Sequence, residues 1–353
     1  MRSTLSLLAV LTAVACSGGG DDDKTTPDTD DTVDTGTVIE PVDSGSTAAT
    51  GDTGSTTTET ICLNSVLSRF PADSTTDAFY ATSVEFELNT VELDASITVE
   101  GPDGPVPGAS EVLGRRIRWT ADEPLAPMTT YTGTLAWSCA PDSTTFFTSP
   151  TGVDVDPEAI DGMAYRLDLV NGRWLQPAGI GAAIPLLLGA DILIGVESDA
   201  GDALDLTFAR TDDFGLPQDL CEPTTAFPTA SFDDNPLFVV GPADVQLEID
   251  GAALPVYALE LSGAFTEDGA MMEGGRLAGL ADLAPLSPIL AGSSDPTAIC
   301  TLLAKFGVAC FACPGGGPSS CVQIEVDSIR GAGEPGGVVP RSTGDIASDT
   351  TCN

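Results

Sequence analysis

The chain has 353 residues, with 53 acidic against 13 basic side chains and a formal net charge of -40. That charge repels phosphate backbones and anionic headgroups, which disfavours nucleic-acid binding and membrane docking through a basic patch. There is no histidine, which excludes Ser-His-Asp and Cys-His catalysis and histidine metal ligands. The length allows two ordinary domains, each with its own core.

Residues 1–15 have the features of a secretory signal. Arg2 supplies a positive charge, and the apolar run over 5–14 is too short to span a bilayer. Ala13-Val14-Ala15 offers an ordinary A-x-A cleavage site. The same stretch resembles a bacterial lipobox ending at Cys16, although alanine stands at 13 where that motif prefers leucine. We expect a lipoprotein signal peptide and a lipidated Cys16, with an ordinary signal as the alternative.

Residues 16–61 predict a disordered acidic tether. They are almost wholly Ser, Thr, Gly, Asp and Pro, and Lys24 is their only basic residue. Such a segment buries too little apolar surface to offset its chain entropy, and like charges extend it. The stretch DTDDTVDTG faintly resembles a calcium loop. However, Val33 falls where the EF-hand pattern needs glycine or an oxygen ligand, so a solvated spacer is favoured.

Nine cysteines are present, and lipidation of Cys16 leaves an even set of eight. An even number in an exported chain indicates disulfides. We pair Cys62 with Cys139, because they bracket the first folded segment, and the other six can pair in many ways. These six are Cys221, Cys300, Cys310, Cys313, Cys321 and Cys352. A zinc site or a redox CxxC at Cys310 and Cys313 is the weaker alternative, because thiolates compete poorly with oxidation outside the cytoplasm.

Residues 62–150 predict a β-sandwich. Apolar and polar residues alternate over 84–88, 97–99, 116–119 and 131–137, as in antiparallel sheets with one wet face. Turn residues separate the strands at short intervals, which favours a Greek-key arrangement. The polar residues of these strands, Glu85 and Arg118 among them, are expected on the solvent face.

The stretch RIRWTADEPLAPMTTYTGTLAWSC, followed by TTFFTSP, resembles the bacterial Ig-like domain of S-layer and other surface proteins. The residues that carry this resemblance are Trp119, Pro124, Leu125, Pro127, Thr130, Tyr131, Phe146, Phe147 and Thr148. It covers about residues 63–150, roughly a quarter of the chain. The resemblance implies a spacer or surface module without catalysis. Tyr131 is either a corner tyrosine bonded to the backbone or simply a core residue, and we favour the latter.

Residues 151–353 match no family that we recognise, and their pattern predicts a disulfide-stapled antiparallel β domain. Strands are expected at 165–170, 191–198, 203–210, 244–250, 256–265 and 321–329. The domain is expected to be barrel-like or a sandwich, with one or two short helices. The clearest helix begins with Asp295 as N-cap and Pro296 at its first position, and it ends before Gly307. For the apolar run at 179–196, Pro185 and Asp191 favour a short helix or loop and then a buried strand over a membrane span.

No catalytic or cofactor motif is present: there is no G-x-S-x-G, S-x-x-K or Walker A sequence. We therefore expect a non-enzymatic envelope lipoprotein without cofactor or metal, anchored to the outer membrane of a Gram-negative bacterium. Its spacer would present the distal β domain to an envelope or surface partner. The alternatives are a carrier of a small apolar ligand in the distal domain and a carboxylate-based extracellular hydrolase.

The first prediction concerns Cys16. The intact mass of the membrane-extracted protein should include diacylglycerol on this residue, and Cys16→Ser should release the chain into the soluble fraction, because the tether alone has no affinity for lipid. A soluble mature wild-type form that begins at an unmodified Cys16 would contradict the expectation.

Overall fold

The computed structural model describes residues 62–352 except 180, 182–189, 199–201 and 250–251. Cys62–Asn353 belong to one compact unit. The signal peptide, Cys16 and the acidic tether lie outside the described residues. Within them the chain is mainly β, with strands over 66–148 and 163–335 and four short α-helices rather than the one or two expected from the sequence.

The first part is a sandwich of two sheets. Its strands are β1 (Val66–Phe70), β2 (Thr75–Ala78), β3 (Val84–Leu88), β4 (Ser96–Gly101), β5 (Gly104–Pro105), β6 (Gly108–Leu113), β7 (Arg116–Ala121), β8 (Thr130–Ala136) and β9 (Asp142–Thr148). One sheet has the order β1-β3-β7-β6 and the other β2-β9-β8-β4-β5. This is the strand order of an immunoglobulin-type Greek key. The β2–β9 pair is parallel, which alternation alone did not reveal.

The sandwich core forms where the alternation places apolar residues. Phe86, Ile117 and Leu135 are fully buried, and Trp119 is 2% exposed. Tyr131 is both a core residue and a corner tyrosine, since it is buried and its hydroxyl accepts a hydrogen bond from the Ala126 amide at 2.9 Å. This bond fixes the corner before β8 and supplies the buried hydroxyl with a partner.

The second part is a closed antiparallel barrel of eight strands. They are β10 (Met163–Leu167), β12 (Ile192–Ser198), β13 (Ala203–Arg210), β15 (Ala230–Asp234), β16 (Leu237–Ile249), β17 (Ala252–Phe265), β18 (Met271–Asp282) and β19 (Cys321–Pro335). The end of β19 pairs with β10 and closes the barrel. The start of β19 pairs instead with β11 (Arg173–Gln176), and β14 (Thr225–Ala226) pairs with β13.

Side chains fill the barrel interior. The apolar cluster there is built around Tyr165, Phe232, Phe238 and Phe265, with ring centroids of neighbouring pairs 5.0 to 6.1 Å apart. The Tyr165 hydroxyl donates to the Gly269 carbonyl at 2.7 Å. Interior residues of this size occupy the space that a wider barrel leaves for a ligand.

The long strands β16 to β19 continue beyond the barrel and support a second small core. Leu254, Val256, Leu259, Ala281 and Leu286 are its buried residues. Helices cover this region: α2 (Ser287–Leu290) and α3 (Ala298–Leu303), with 3-10 turns at Ala284–Leu286 and Ala304–Phe306. The remaining helices are α1 (Pro157–Ile160) and α4 (Thr343–Ser348).

Helix α3 begins two residues later than the sequence predicts. Its N-cap is Thr297, and Asp295 accepts hydrogen bonds from the Thr297 amide at 2.9 Å and hydroxyl at 2.8 Å. Asp295 therefore organises the turn before the helix, and Pro296 lies outside it. The α-helix itself ends at Leu303 and continues as the 3-10 turn Ala304–Phe306, which stops at the predicted Gly307, a residue in a left-handed conformation with φ of 79°.

The eight described cysteines form four disulfides. Cys62 is bonded to Cys139, Cys221 to Cys352, Cys300 to Cys310, and Cys313 to Cys321. The first bond closes the sandwich, and the second ties the chain end to the loop after β13. The other two staple α3 and the following loop to the start of β19. The two cysteines of the CxxC sequence belong to different bonds.

The apolar run at 179–196 ends within the strand β12, whose residues Leu193, Ile194 and Val196 are buried. Residues 180 and 182–189 of this run are outside the described part. Among the helices that the structure describes, none combines the length and the apolar character that crossing a membrane requires.

A disulfide that closes a longer loop is expected to contribute more to the free energy of unfolding. Cys221 and Cys352 are 131 positions apart, whereas Cys300 and Cys310 are 10 apart. The chain-entropy model gives about 5 kcal/mol for the first bond and about 3 kcal/mol for the second. Replacing each pair by alanine should therefore lower the free energy of unfolding in urea more for the 221–352 pair. An equal or reversed ranking would contradict this entropic account.

Candidate functional site: a charged junction between sandwich and barrel

The cysteines that the sequence singled out do not lie together in one site. Cys16 lies outside the described residues, and the eight other cysteines are bonded in pairs. Asp282, Cys313 and Cys321 bring potential metal-ligand atoms within 4.8 Å of one another. However, the two sulfurs are joined in a disulfide and offer no thiolate. The Asp282 carboxylate accepts hydrogen bonds from Ser320 Oγ and the Ala284 amide.

The most unusual group in the described chain is the carboxylate of Glu85 in β3. The alternation of β3 predicts a solvent-facing side chain, yet Glu85 is 3% exposed. Its neighbour on the same face, Glu87, has a side chain that is 42% exposed. The prediction for Glu85 is therefore wrong, because the barrel covers this part of the polar sheet face.

Three arginines compensate the buried charge. Arg118, directly opposite Glu85 in the ladder, donates from Nε to Oε1 at 2.6 Å. Arg173 of β11 donates from Nη1 to Oε2 at 2.9 Å. Arg116 Nη1 lies 3.6 Å from Oε2. Ser83 adds a hydroxyl donor at 3.1 Å. A carboxylate with this many charge-assisted contacts can be buried in its ionised form.

The ion pairs continue into the barrel. Arg173 forms a bidentate ion pair with Asp327, the residue opposite it on β19. Its Nε and Nη2 donate to the two carboxylate oxygens at 2.8 Å and 2.5 Å. Glu325, another buried carboxylate on β19, lies 3.4 Å from Arg118 and equally far from Arg276. Arg276 also pairs with Glu260 at 2.6 Å. Acidic and basic side chains thus alternate along a continuous network that runs from the β1-β3-β7-β6 sheet of the sandwich to strands β11, β19, β18 and β17.

Apolar and peripheral contacts complete the junction. The Arg173 guanidinium carbon lies 3.4 Å from the Phe70 ring centroid, a cation–π arrangement. The Phe79 ring packs so closely on Gly274 of β18 that a Cβ would not fit there. At the rim, Arg330 pairs with Asp77 at 2.7 Å.

The arrangement keeps Glu85 ionised. Burial alone would raise the pKa of its carboxyl, but the charges of Arg173 and Arg118 and their hydrogen bonds outweigh burial and lower the pKa. A general acid at neutral pH needs the opposite shift. The chemistry of Glu85 is therefore that of a fixed anion that holds two β-sheets together.

A cleft opens beside this network, where β1, the β6–β7 turn and the segment around β11 meet. It is open to solvent and has a volume of about 380 Å³. Its lining combines Arg115, Arg116 and Arg173 with the carboxylates of Glu85 and Glu87. Phe70, Leu113, Trp174 and Leu175 add apolar surface, with Ser68 and Ala178 completing the lining.

Sequence reasoning missed this site because it assigned the polar residues of each strand to solvent. One signal was available. In a chain with only 13 basic residues, Arg115, Arg116 and Arg118 stand together in four positions. Such clustering of a scarce charge predicts a local acidic partner. Arg173 and Glu325 carry no comparable local signal.

Comparison with known proteins does not assign the chain to a family. No family model matches it, and no curated protein matches it. Among solved structures, Mycobacterium tuberculosis L,D-transpeptidase 1 is similar over 42% of this chain and 82% of its own, with 16% identity and a TM-score of 0.21. Domains 5-6 of the S-layer protein SbsC are similar over 61% of this chain and 88% of their own, with 10% identity and a TM-score of 0.18. These likenesses are too weak to carry a functional argument.

The junction predicts a strong and pH-dependent effect of Glu85→Gln. The amide leaves Arg173 and Arg118 without their shared anion, so the free energy of unfolding should fall by about 3 kcal/mol at pH 7. The lowered pKa of Glu85 means that its ion pairs stabilise the fold fully above the ordinary glutamate pKa of about 4.3. This stabilisation is lost as pH falls through the lower pKa of the folded protein.

The difference between wild type and Glu85→Gln should therefore shrink in acid, as measured by denaturant unfolding at a series of pH values. Glu87→Gln is the matched control. It removes a carboxylate two positions away on the same face whose pair with Arg115 is exposed, and it should change stability by about 0.5 kcal/mol or less. Equal effects of the two substitutions would contradict the role assigned to Glu85.

Proposed function

We propose that the protein is a non-enzymatic envelope lipoprotein whose sandwich acts as a spacer and presents the barrel for binding or scaffolding at the cell surface. In this proposal Cys16 is lipidated and residues 16–61 form the tether. The sandwich belongs with the bacterial Ig-like domains that it resembles in sequence. The barrel with its stapled extension is then the part that lies farthest from the membrane.

The observation that carries the proposal is the junction of Glu85 with Arg173 and Arg118. A spacer can present a second domain in a defined direction only when the two are fixed to each other. Buried ion pairs with good geometry are suited to this, because their energy depends strongly on orientation. The bond of Thr151, in the segment between sandwich and barrel, to Glu273 of β18 supports the same arrangement.

Two features favour presentation over the alternative functions. The barrel interior is filled by aromatic and aliphatic side chains, which argues against a carrier that encloses an apolar ligand there. Glu85 is the more deeply buried of the two carboxylates that line the junction cleft, and its pKa is lowered. A glycosidase needs a general acid with a raised pKa, so this shift argues against a carboxylate-based hydrolase at the cleft.

The proposal is tested in cells by fractionation and surface proteolysis. Wild type should sediment with the envelope membrane and be cut by protease added to intact cells, whereas Cys16→Ser should be soluble. A wild-type chain that is soluble would contradict the anchored presentation. Turnover of glycan, ester or peptide substrates that one Asp or Glu substitution abolishes without unfolding would contradict the non-enzymatic part.

Fixed presentation is tested on the purified full chain by electron-resonance distance measurements. Spin labels are attached through unnatural amino acids at the exposed positions Glu111, in the sandwich, and Asp233, in the barrel. The wild-type distance distribution should be a single narrow peak, and Arg173→Gln should broaden it while the disulfides stay intact. A broad wild-type distribution would contradict a fixed junction.

A further inference from the structure

The junction cleft has the size and boundaries of a small-molecule site. Its volume of about 380 Å³ lies at the low end of the range, roughly 300–1,000 Å³, that small-ligand pockets occupy. It lies where two structural parts meet, which is a preferred location for such sites. The ion pairs around Glu85 hold its floor in place, so the cleft is formed before any ligand enters.

The charges of the cleft differ from those of the chain as a whole. Three guanidinium groups and two carboxylates line it, whereas acids outnumber bases 53 to 13 in the sequence. Arg116 Nη1 is buried without a hydrogen-bond partner, and its nearby carboxylate is shared with two other arginines. The Arg115 side chain is 55% exposed, and its ion-pair partner within the part of the chain that the structure describes is Glu87, at 3.2 Å. An incoming anion can therefore recruit Arg115 at little cost.

The remaining lining is apolar and partly aromatic. Leu113 is 37% exposed, and Phe70 and Trp174 are half-buried. The indole N–H of Trp174 already donates to the Leu169 carbonyl at 2.8 Å. The ring therefore offers a ligand only its apolar surface. A ligand that satisfies both parts of the lining carries one charged end and one apolar or ring-shaped end.

The two carboxylates in the lining limit the charge of that end. The three guanidinium groups and two carboxylates of the lining leave one net positive charge, which a group with one negative charge balances and a group with two exceeds. A planar carboxylate also matches the donor fork of a guanidinium group. We propose that this cleft binds a small amphipathic monocarboxylate, with its carboxylate on Arg115 and its apolar part against Leu113, Phe70 and Trp174.

The test uses isothermal titration of the full mature chain with 2-naphthoate, compared with 2-naphthamide and 2-naphthyl phosphate. The carboxylate should bind at one site per chain, and the neutral amide and the phosphate should bind more weakly. Arg115→Gln should weaken 2-naphthoate about tenfold, because it removes a charge-assisted contact. Leu113→Glu, at another exposed position of the lining, should weaken it as well by adding a negative charge.

Arg330→Gln is the matched control. Arg330 is an exposed arginine, 53% accessible, whose ion-pair partner among the described residues is Asp77, and it lies outside the lining of this cleft. This variant should bind 2-naphthoate like wild type. Absence of 2-naphthoate binding up to millimolar concentration, equal binding of the amide, tighter binding of the phosphate, or an equal loss in Arg115→Gln and Arg330→Gln would each overturn the proposal. Thermal unfolding of each variant confirms that the fold is retained.

Discussion

The burial of one carboxylate, Glu85, constrains the arrangement of the described chain. A charged group removed from water needs nearly complete compensation by partners of opposite charge. Glu85 obtains this from Arg118 of its own sheet and from Arg173 of β11, the strand that pairs with the start of β19. Neither part supplies all the partners by itself. The two parts therefore satisfy this charge only when they are docked as observed.

The same constraint explains how a strongly acidic chain uses its few cations. Charges of one sign at this density destabilise a compact state through self-repulsion. The junction places Arg116, Arg118, Arg173 and Arg276 among the carboxylates that the fold buries or half-buries, including Glu325 and Asp327. The energetic value of buried ion pairs is often small relative to apolar packing of the same volume. Their contribution here is the orientation that they fix between two β-sheets.

Side chains fill the interiors of both the sandwich and the barrel. The sandwich is packed around Trp119 and Phe86, and the barrel around Phe238 and Phe265. Three of the four disulfides add constraints outside these two cores. Two of them close short loops beside the small core under α2 and α3, and one ties the chain end, beyond α4, to the loop after β13. Two clefts, of about 380 and 290 Å³, open at the junction and are lined by residues of both parts.

Period-two alternation determined much of the fold from the sequence. It placed Val84, Phe86 and Leu88 in the sandwich core, and the predicted strands at 203–210 and 256–265 lie within β13 and β17. Strand β18 was missed because three glycines and Arg276 interrupt the alternation. Its pairing with both β17 and β19 supplies the stability that its own sequence lacks. The disulfide pairing within residues 151–353 was likewise decided only by three-dimensional proximity.

The sequence by itself determined which side chains alternate between the two faces of each strand, because that period is a local property of the extended backbone. It did not determine whether the polar face of a strand is exposed to solvent or covered by another part of the protein. Glu85 and Glu325 follow the polar pattern of solvent-facing residues, yet both are buried. Only the tertiary structure brings Glu85 to Arg173, 88 positions later, and Arg118 to Glu325, 207 positions later. Contacts at such separations arise from the docking of two folded parts, which no local pattern encodes.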